Sequence, residues 1–238
     1  MRGLGTICNV AGILLGGAAG LLFGKRIRPQ MQKTLLQAVG ICVMFLGIAG
    51  CLEEMFAVTQ DGLESGGTMM MIASFAIGAL LGEWLNLEDK IERFGTYLKR
   101  KTGSEGDASF VSGFVTASLT VCIGAMAVVG SIRDGIFGDY SVLLAKAVLD
   151  MIIIAVMAAS MGKGCLFSAL PVAIFQGSLT LLAVWIEPVM TPQALSNLSL
   201  TGSILIFCVG ANMIWEKRFR VANMLPAIVV AVVCSFFG

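Results

Sequence analysis

Histidine is absent from the 238 residues, and only 13% of them are charged. The first absence removes His-dependent catalytic triads, histidine-type zinc sites and imidazole proton relays. The second is a large departure, because a soluble domain carries about 25% charged residues. No C-x-x-C pair occurs among Cys8, Cys42, Cys51, Cys122, Cys165, Cys208 and Cys234, so metal and redox readings are poor. The cysteines read instead as small packing residues in apolar helices. A phosphate loop is missing too. Lys163 in ASMGKGCLFSALP lacks the upstream glycine spacing and the following Ser or Thr, and reads as a turn lysine. A net charge of +1 leaves no basic footprint for nucleic acid. No nucleophile–base pair suited to catalysis is visible, so neither an enzyme nor a cofactor is expected.

What the chain does have is apolar length. It is 57% hydrophobic, with a mean hydropathy of +0.91. A soluble core could not hide that many apolar runs, whereas lipid can. Runs long enough to cross a bilayer lie at 4–24, 35–52, 68–85, 110–130, 141–162, 166–186, 198–215 and, shorter, 224–237. The expectation is an all-α polytopic bundle of about eight spans, one integral membrane domain over 1–238. The polar stretch near 130–140 reads as a loop, a re-entrant segment or a helix break.

Loop charge gives an orientation. Lys25, Arg26, Arg28 and Lys33 follow the first run, Lys99, Arg100 and Lys101 the third, Lys163 the fifth, and Lys217, Arg218 and Arg220 the seventh. Glu53, Glu54, Asp61 and Glu64 fill the opposite loop. Basic loops stay cytoplasmic, which puts the N-terminus outside. Arg2 before an apolar run ending at Ala18 and Ala19 imitates a signal peptide, but the stronger positive flank after the run fits an uncleaved span. Between Gly82 and Asp107, Trp84, Leu87, Ile91, Phe94 and Leu98 recur at helical spacing among charges. This reads as an amphipathic connector at the cytoplasmic surface, about 83–107.

Gly12, Gly16, Gly20 and Gly24 lie on one helix face and let another helix approach closely. That neighbour could be in the same chain or in a homo-oligomer. TVCIGAMAVVG (120–130) is similar to IFCVGANMIWE (206–216), and the two runs would cross in opposite directions. Inverted repeats with interrupted helices mark many secondary transporters.

Lys146 and Asp150 carry the functional signal. They stand four apart inside LLAKAVLDMIIIAVMAA, where they can pair on one helix face near the middle of the hydrocarbon. An intramembrane ionisable residue is a functional-site hypothesis by default. One reading is a structural ion pair that fixes helix packing. The other is an ion- or substrate-binding site with Asp150 as ligand and Lys146 as the competing charge. Asp134, Ser131, Gln176 (with Thr180 one turn on) and Asn212 are supporting polar candidates, and Asp139 joins them if the 130–140 stretch dips inward. Thr116, Ser118 and Thr120 add hydroxyls in the fourth run. A hydroxyl in a span usually bonds its own backbone or a neighbouring helix.

GTICNVAGILLGGAAGLLFGKRI, GFVTASLTVCIGAMAVVGSIRDGIFGD, LLAKAVLD, GKGCLFSALPVAIFQGSLTLLA and RVANMLPA, in that order, resemble the YqgA/YdfK-like family of uncharacterised bacterial inner-membrane proteins. The resemblance implies a bacterial cytoplasmic-membrane protein and brings no activity. Ala147 stands where that family's pattern has a serine, which removes one hydroxyl from the candidate site. The functional expectation is a secondary transporter of a small ion or solute. The alternatives are a channel and a non-transport scaffold or assembly protein. The expected partners are the lipid bilayer and the small solute.

Overall fold

The computed structural model describes residues 2–24, 26–59, 62–215 and 219–236. Lys25, Asp61, Lys217 and Arg218 of the charged loops, Glu216 of the repeat and the last residue of the eighth run lie outside them. The chain runs α1 (Leu4–Gly24), α2 (Pro29–Met55), a hairpin β1 (Phe56–Thr59) and β2 (Gly62–Ser65), α3 (Thr68–Leu85), α4 (Leu87–Lys101), α5 (Phe110–Cys122), α6 (Ala125–Phe137) and α7 (Ser141–Met161). A 3-10 turn, Lys163–Ser168, leads into α8 (Ala169–Leu181) and the short α9 (Ala183–Ile186). Then come α10 (Pro192–Trp215), α11 (Val221–Met224) and α12 (Pro226–Cys234).

Among the described residues six helical segments are long and apolar enough to cross a membrane, and the bent pair α5–α6, taken as one span, makes a seventh. The eighth, Val221–Cys234, is short: about 21 Å at 1.5 Å per residue, against a hydrocarbon core of about 30 Å. The outward faces are apolar. Leu80, Trp84, Leu181 and Trp185 are 74%, 82%, 86% and 79% exposed, a surface suited to lipid and not to water. The antiparallel hairpin, Phe56 paired with Ser65, is the one departure from all-α structure among the described residues. It closes the acidic loop by pairing backbone groups that a bare loop would leave open.

Glycine sets the helix pairing. A side chain added at Gly12 would stand 2.8 Å from the carbonyl oxygen of Ala147, and those at Gly16, Gly20 and Gly24 would collide with the carbonyls of Met151, Ala155 and Ala159. Both series rise in steps of four, so α1 and α7 run parallel in continuous backbone contact. The glycine face of α1 is therefore covered within the chain, and a homo-oligomer would have to use another surface. Gly40 and Gly47 of α2 meet Gly210 and Ser203 of α10, and Gly78 and Gly82 of α3 meet Ala227 and Asn223. Numbers rise on one side and fall on the other, so these pairs are antiparallel. First and fifth spans parallel, second and seventh opposed, and third and eighth opposed: this register closes with both termini at one end.

The break in the fourth span lies at Ile123–Gly124, inside the run read as 110–130 and not at 130–140. Gly124 has φ 137° and ψ 150°, a conformation that only glycine adopts readily, and the two halves diverge by 61°. Residues 130–137 are helical, and the turn at 138–140 follows Gly138 at φ 68°. The two similar stretches thus differ in shape: 120–130 is broken, whereas 206–215 runs straight through α10. The connector is α4, joined to α3 at Asn86 with a left-handed φ of 50°. It rests on α5 through Phe94 and Phe114, ring centroids 5.8 Å apart. Buried Glu88 accepts a hydrogen bond from Ala222 N, and its own amide donates to Asn223 Oδ1, so α4 also holds α11.

Candidate functional site

Lys146 and Asp150 are 7% and 3% exposed, about midway along α7. The Lys146 ammonium donates to both Asp150 oxygens, at 2.9 Å and 2.7 Å. The pair closes within one helix, so it ties no neighbour to α7. Burying two charges costs several kcal/mol per ion even after relaxation, and only good geometry offsets it. That cost brings no link between helices here. What does reach across is Asn9 of α1. Its side chain lies beside Asp150, and Nδ2 donates to Gln176 Oε1 on α8 at 3.2 Å. Cys122, the last residue of α5, lies within electrostatic reach of both charges.

Around the pair, five polar atoms are buried without a hydrogen-bond partner among the described residues: Thr6 Oγ1, Asn9 Oδ1, Ser131 Oγ, Gln176 Nε2 and Thr180 Oγ1. All belong to α1, α6 and α8, which pack on each other, with α1 and α6 also packed on α7. Their register is fixed by close contacts. Gly5 meets Asp134 and Leu143, and Gly135 meets the Thr180 carbonyl. The helix α6 runs parallel to α8 and antiparallel to α1. One turn inward from the Gly5–Asp134 and Gly135–Thr180 contacts, Asn9, Ser131 and Gln176 share a level; Thr6 and Thr180 form the level outside it. Each unpaired buried polar atom costs about 1–3 kcal/mol. Five in one place are a consistent demand for water or a ligand.

The other sequence candidates have different tasks. Asp134 is fully buried and accepts hydrogen bonds from Gly3 N at 3.2 Å and Gly5 N at 3.0 Å. It therefore caps the start of α1, where free amides and the positive helix end favour a carboxylate. Asp139 does not line a vestibule. It takes hydrogen bonds from Ser141 N and Oγ at 3.1 Å and 2.7 Å and pairs with Arg133 at 2.8 Å in an outer turn. Those hydrogen bonds first, and the Arg133 charge after them, hold its carboxyl below the usual aspartate range. Asn212 does not join the pair either. It sits near the far end of α10 and staples the turn to Phe219, donating to its carbonyl at 2.7 Å and accepting from its amide at 2.9 Å. Ser118 and Thr120 donate to the carbonyls of Phe114 and Thr116 in their own helix. Thr116, Asn212, Glu88 and Glu92 line a separate cavity of about 500 Å³ between α2, α4, α5 and α10.

Thr6 and Asn9 escaped the sequence reading, which took α1 for its glycines. The signal was present: they are the only hydroxyl and the only amide in that helix, three residues apart on one side of it. Among the described residues no group of three or more Cys, Asp and Glu side chains could hold a metal.

The comparisons agree with this picture of a membrane protein. The chain is 32% identical over 232 residues to "Uncharacterized membrane protein YdfK" of Bacillus subtilis (strain 168), covering 98% of this chain and 95% of that one. It is 27% identical over 239 aligned positions to "Uncharacterized protein YqgA" of Escherichia coli (strain K12), covering 98% and 96%. No solved structure matches. A family model described as "Protein of unknown function (DUF554)" matches residues 4–236, and the chain is a multi-pass membrane protein of that family.

Proposed function

We propose that the chain is a secondary transporter that moves a small ion or solute past the Lys146–Asp150 pair. The observation that carries this reading is the pair itself: two buried charges bonded only within α7, beside five buried polar atoms without partners. A structural ion pair earns its place by joining elements, and this one joins none. In the proposed role Asp150 binds the cationic group or proton, and Lys146 is the charge displaced from it. Asn9, bonded to Gln176, fixes the α1–α8 wall beside the carboxylate. The break at Gly124 gives the fourth span two segments able to change their mutual angle, a device shared by many transporters. With no phosphate loop in the sequence, the drive would be an ion gradient.

The proposed setting is a bacterial cytoplasmic membrane with both termini outside. Arg26, Arg28, Lys33, Lys99, Arg100, Lys101, Lys163 and Arg220 all follow helix ends that lie on one side in the observed register, which becomes the cytoplasmic side. No group of side chains suggests catalysis, and the proposal includes no enzymatic step.

Charge movement in proteoliposomes on a solid-supported membrane, with cations, protons and small anions supplied in turn, tests the reading. A current in the wild type that vanishes in folded Asp150→Asn is the expected result. A current unchanged by that substitution would move the path away from the pair.

A further inference from the structure

We infer that α1, α6 and α8 form a binding site for a small alkali cation beside the Lys146–Asp150 pair, built from side chains other than those two. Four of the five unpartnered buried atoms are oxygens: Thr6 Oγ1, Asn9 Oδ1, Ser131 Oγ and Thr180 Oγ1. Thr6, Asn9, Ser131 and Thr180 are 7%, 0%, 0% and 9% exposed, so bulk water does not satisfy them. Three helices contribute, on two adjacent levels. Asn9 Nδ2 donates to Gln176, and its carbonyl oxygen is left free for a cation. The fifth atom, Gln176 Nε2, is a donor and cannot ligate a cation; its task is to donate to a hydroxyl or water oxygen in the same cluster, turning that oxygen's remaining lone pair inward.

The chemistry selects the ion class. Hydroxyl and amide oxygens suit hard cations, and no thiolate or imidazole is present for a soft one. Charge selects the valence. Lys146 and Asp150 cancel each other, and Asp134 is the one further carboxylate at this end of the cluster, with no ion pair among the described residues. Part of its charge is met by the start of α1. At most one net negative charge fits one monovalent ion, whereas a calcium-type site gathers several carboxylates. The site stands whether or not the chain is a transporter, since binding alone defines it.

The experiment is the unfolding temperature of the purified full chain in detergent, titrated with lithium, sodium, potassium or N-methylglucamine chloride at constant ionic strength. One alkali cation should stabilise the wild type saturably over N-methylglucamine, by the linkage that makes any native-state ligand stabilising. Ser131→Ala and Thr180→Val should each raise the half-saturating concentration by about tenfold or more, or about 1.4 kcal/mol. Ser178→Ala, on the exposed face of α8, should leave it unchanged. Equal unfolding temperatures in all four salts would mean that the cluster holds water only and would overturn the site. So would a cation effect that survives both substitutions. If neither variant folds, the four-salt comparison on the wild type decides. None of these outcomes depends on Asp150→Asn or on a measured current, so this site and the transport reading fail separately.

Discussion

Two helix pairs in this protein use the same glycine device and end up with opposite character. In α2·α10, Gly40, Gly47 and Gly210 bring the backbones together, and the polar groups nearby are matched. Asn197 donates to Ala231 O at 3.0 Å, Thr201 to Asn197 O at 2.8 Å, and Ser196 to Glu54 at 2.6 Å. In α1·α7 the glycine face is just as close, yet the adjoining faces carry a buried ion pair and polar atoms without partners. Close packing is thus common to both pairs. The polar groups left open are what set one pair apart, and they place it at the candidate site.

The comparison can be broken most strongly at Asp150. Replacing Asp150 with Ala leaves the Lys146 ammonium buried without its carboxylate and should destabilise the protein by about 3–5 kcal/mol. Lys146→Met combined with Asp150→Leu should recover most of that loss, since an apolar pair of similar size removes both charges. Unfolding in detergent reads both variants, and an Asp150→Ala protein as stable as the wild type would show that the pair is solvated. The next effect in size tests the shared device. Gly16→Leu and Gly47→Leu should each cost about 3 kcal/mol, because the added side chain meets backbone that cannot move aside. Gly177→Ala, with open space around it, should be neutral or gain up to about 1 kcal/mol of helix propensity. Equal costs at Gly16 and Gly177 would refute the ladder.

The smallest effect lies outside both pairs. Asp139 is held below the usual aspartate range, so its folded-state value is depressed. Stability from such a group is present above the ordinary aspartate value and is lost as pH falls through the lowered one. Asp139→Asn should therefore be slightly less stable than the wild type at neutral pH and converge with it in acid. The group is partly open to solvent, so the gap should also narrow with added salt. A gap that widens in acid would reverse the assignment.

Much of this was legible in the residues. The 4–24 and 68–85 runs coincide with α1 and α3, because long apolar runs have one good solution in lipid. The Lys146–Asp150 pairing followed from spacing alone, since residues four apart share a helix face. The missed features are of another kind. The break at Gly124 depends on one backbone conformation, and many other glycines of the chain sit in unbroken helix. Asp134 looked like a ligand and is a cap because the start of α1, some 130 positions earlier in the chain, lies against it. Asn212 looked like its partner polar groups and is a turn staple because α10 carries it to the other end of the bundle.

By itself, then, the sequence determined the class, most of the spans and the helix face of the buried charges. These follow from composition and from periods of a few residues, which act locally. Only the tertiary structure decided which helix covers the glycines of α1, and that one polar atom each of Thr6, Asn9, Ser131, Gln176 and Thr180 is buried unpaired on three neighbouring helices. Those facts depend on how distant helices register against one another. That register is set by packing and hydrogen bonds summed over the whole bundle, and no local pattern encodes it.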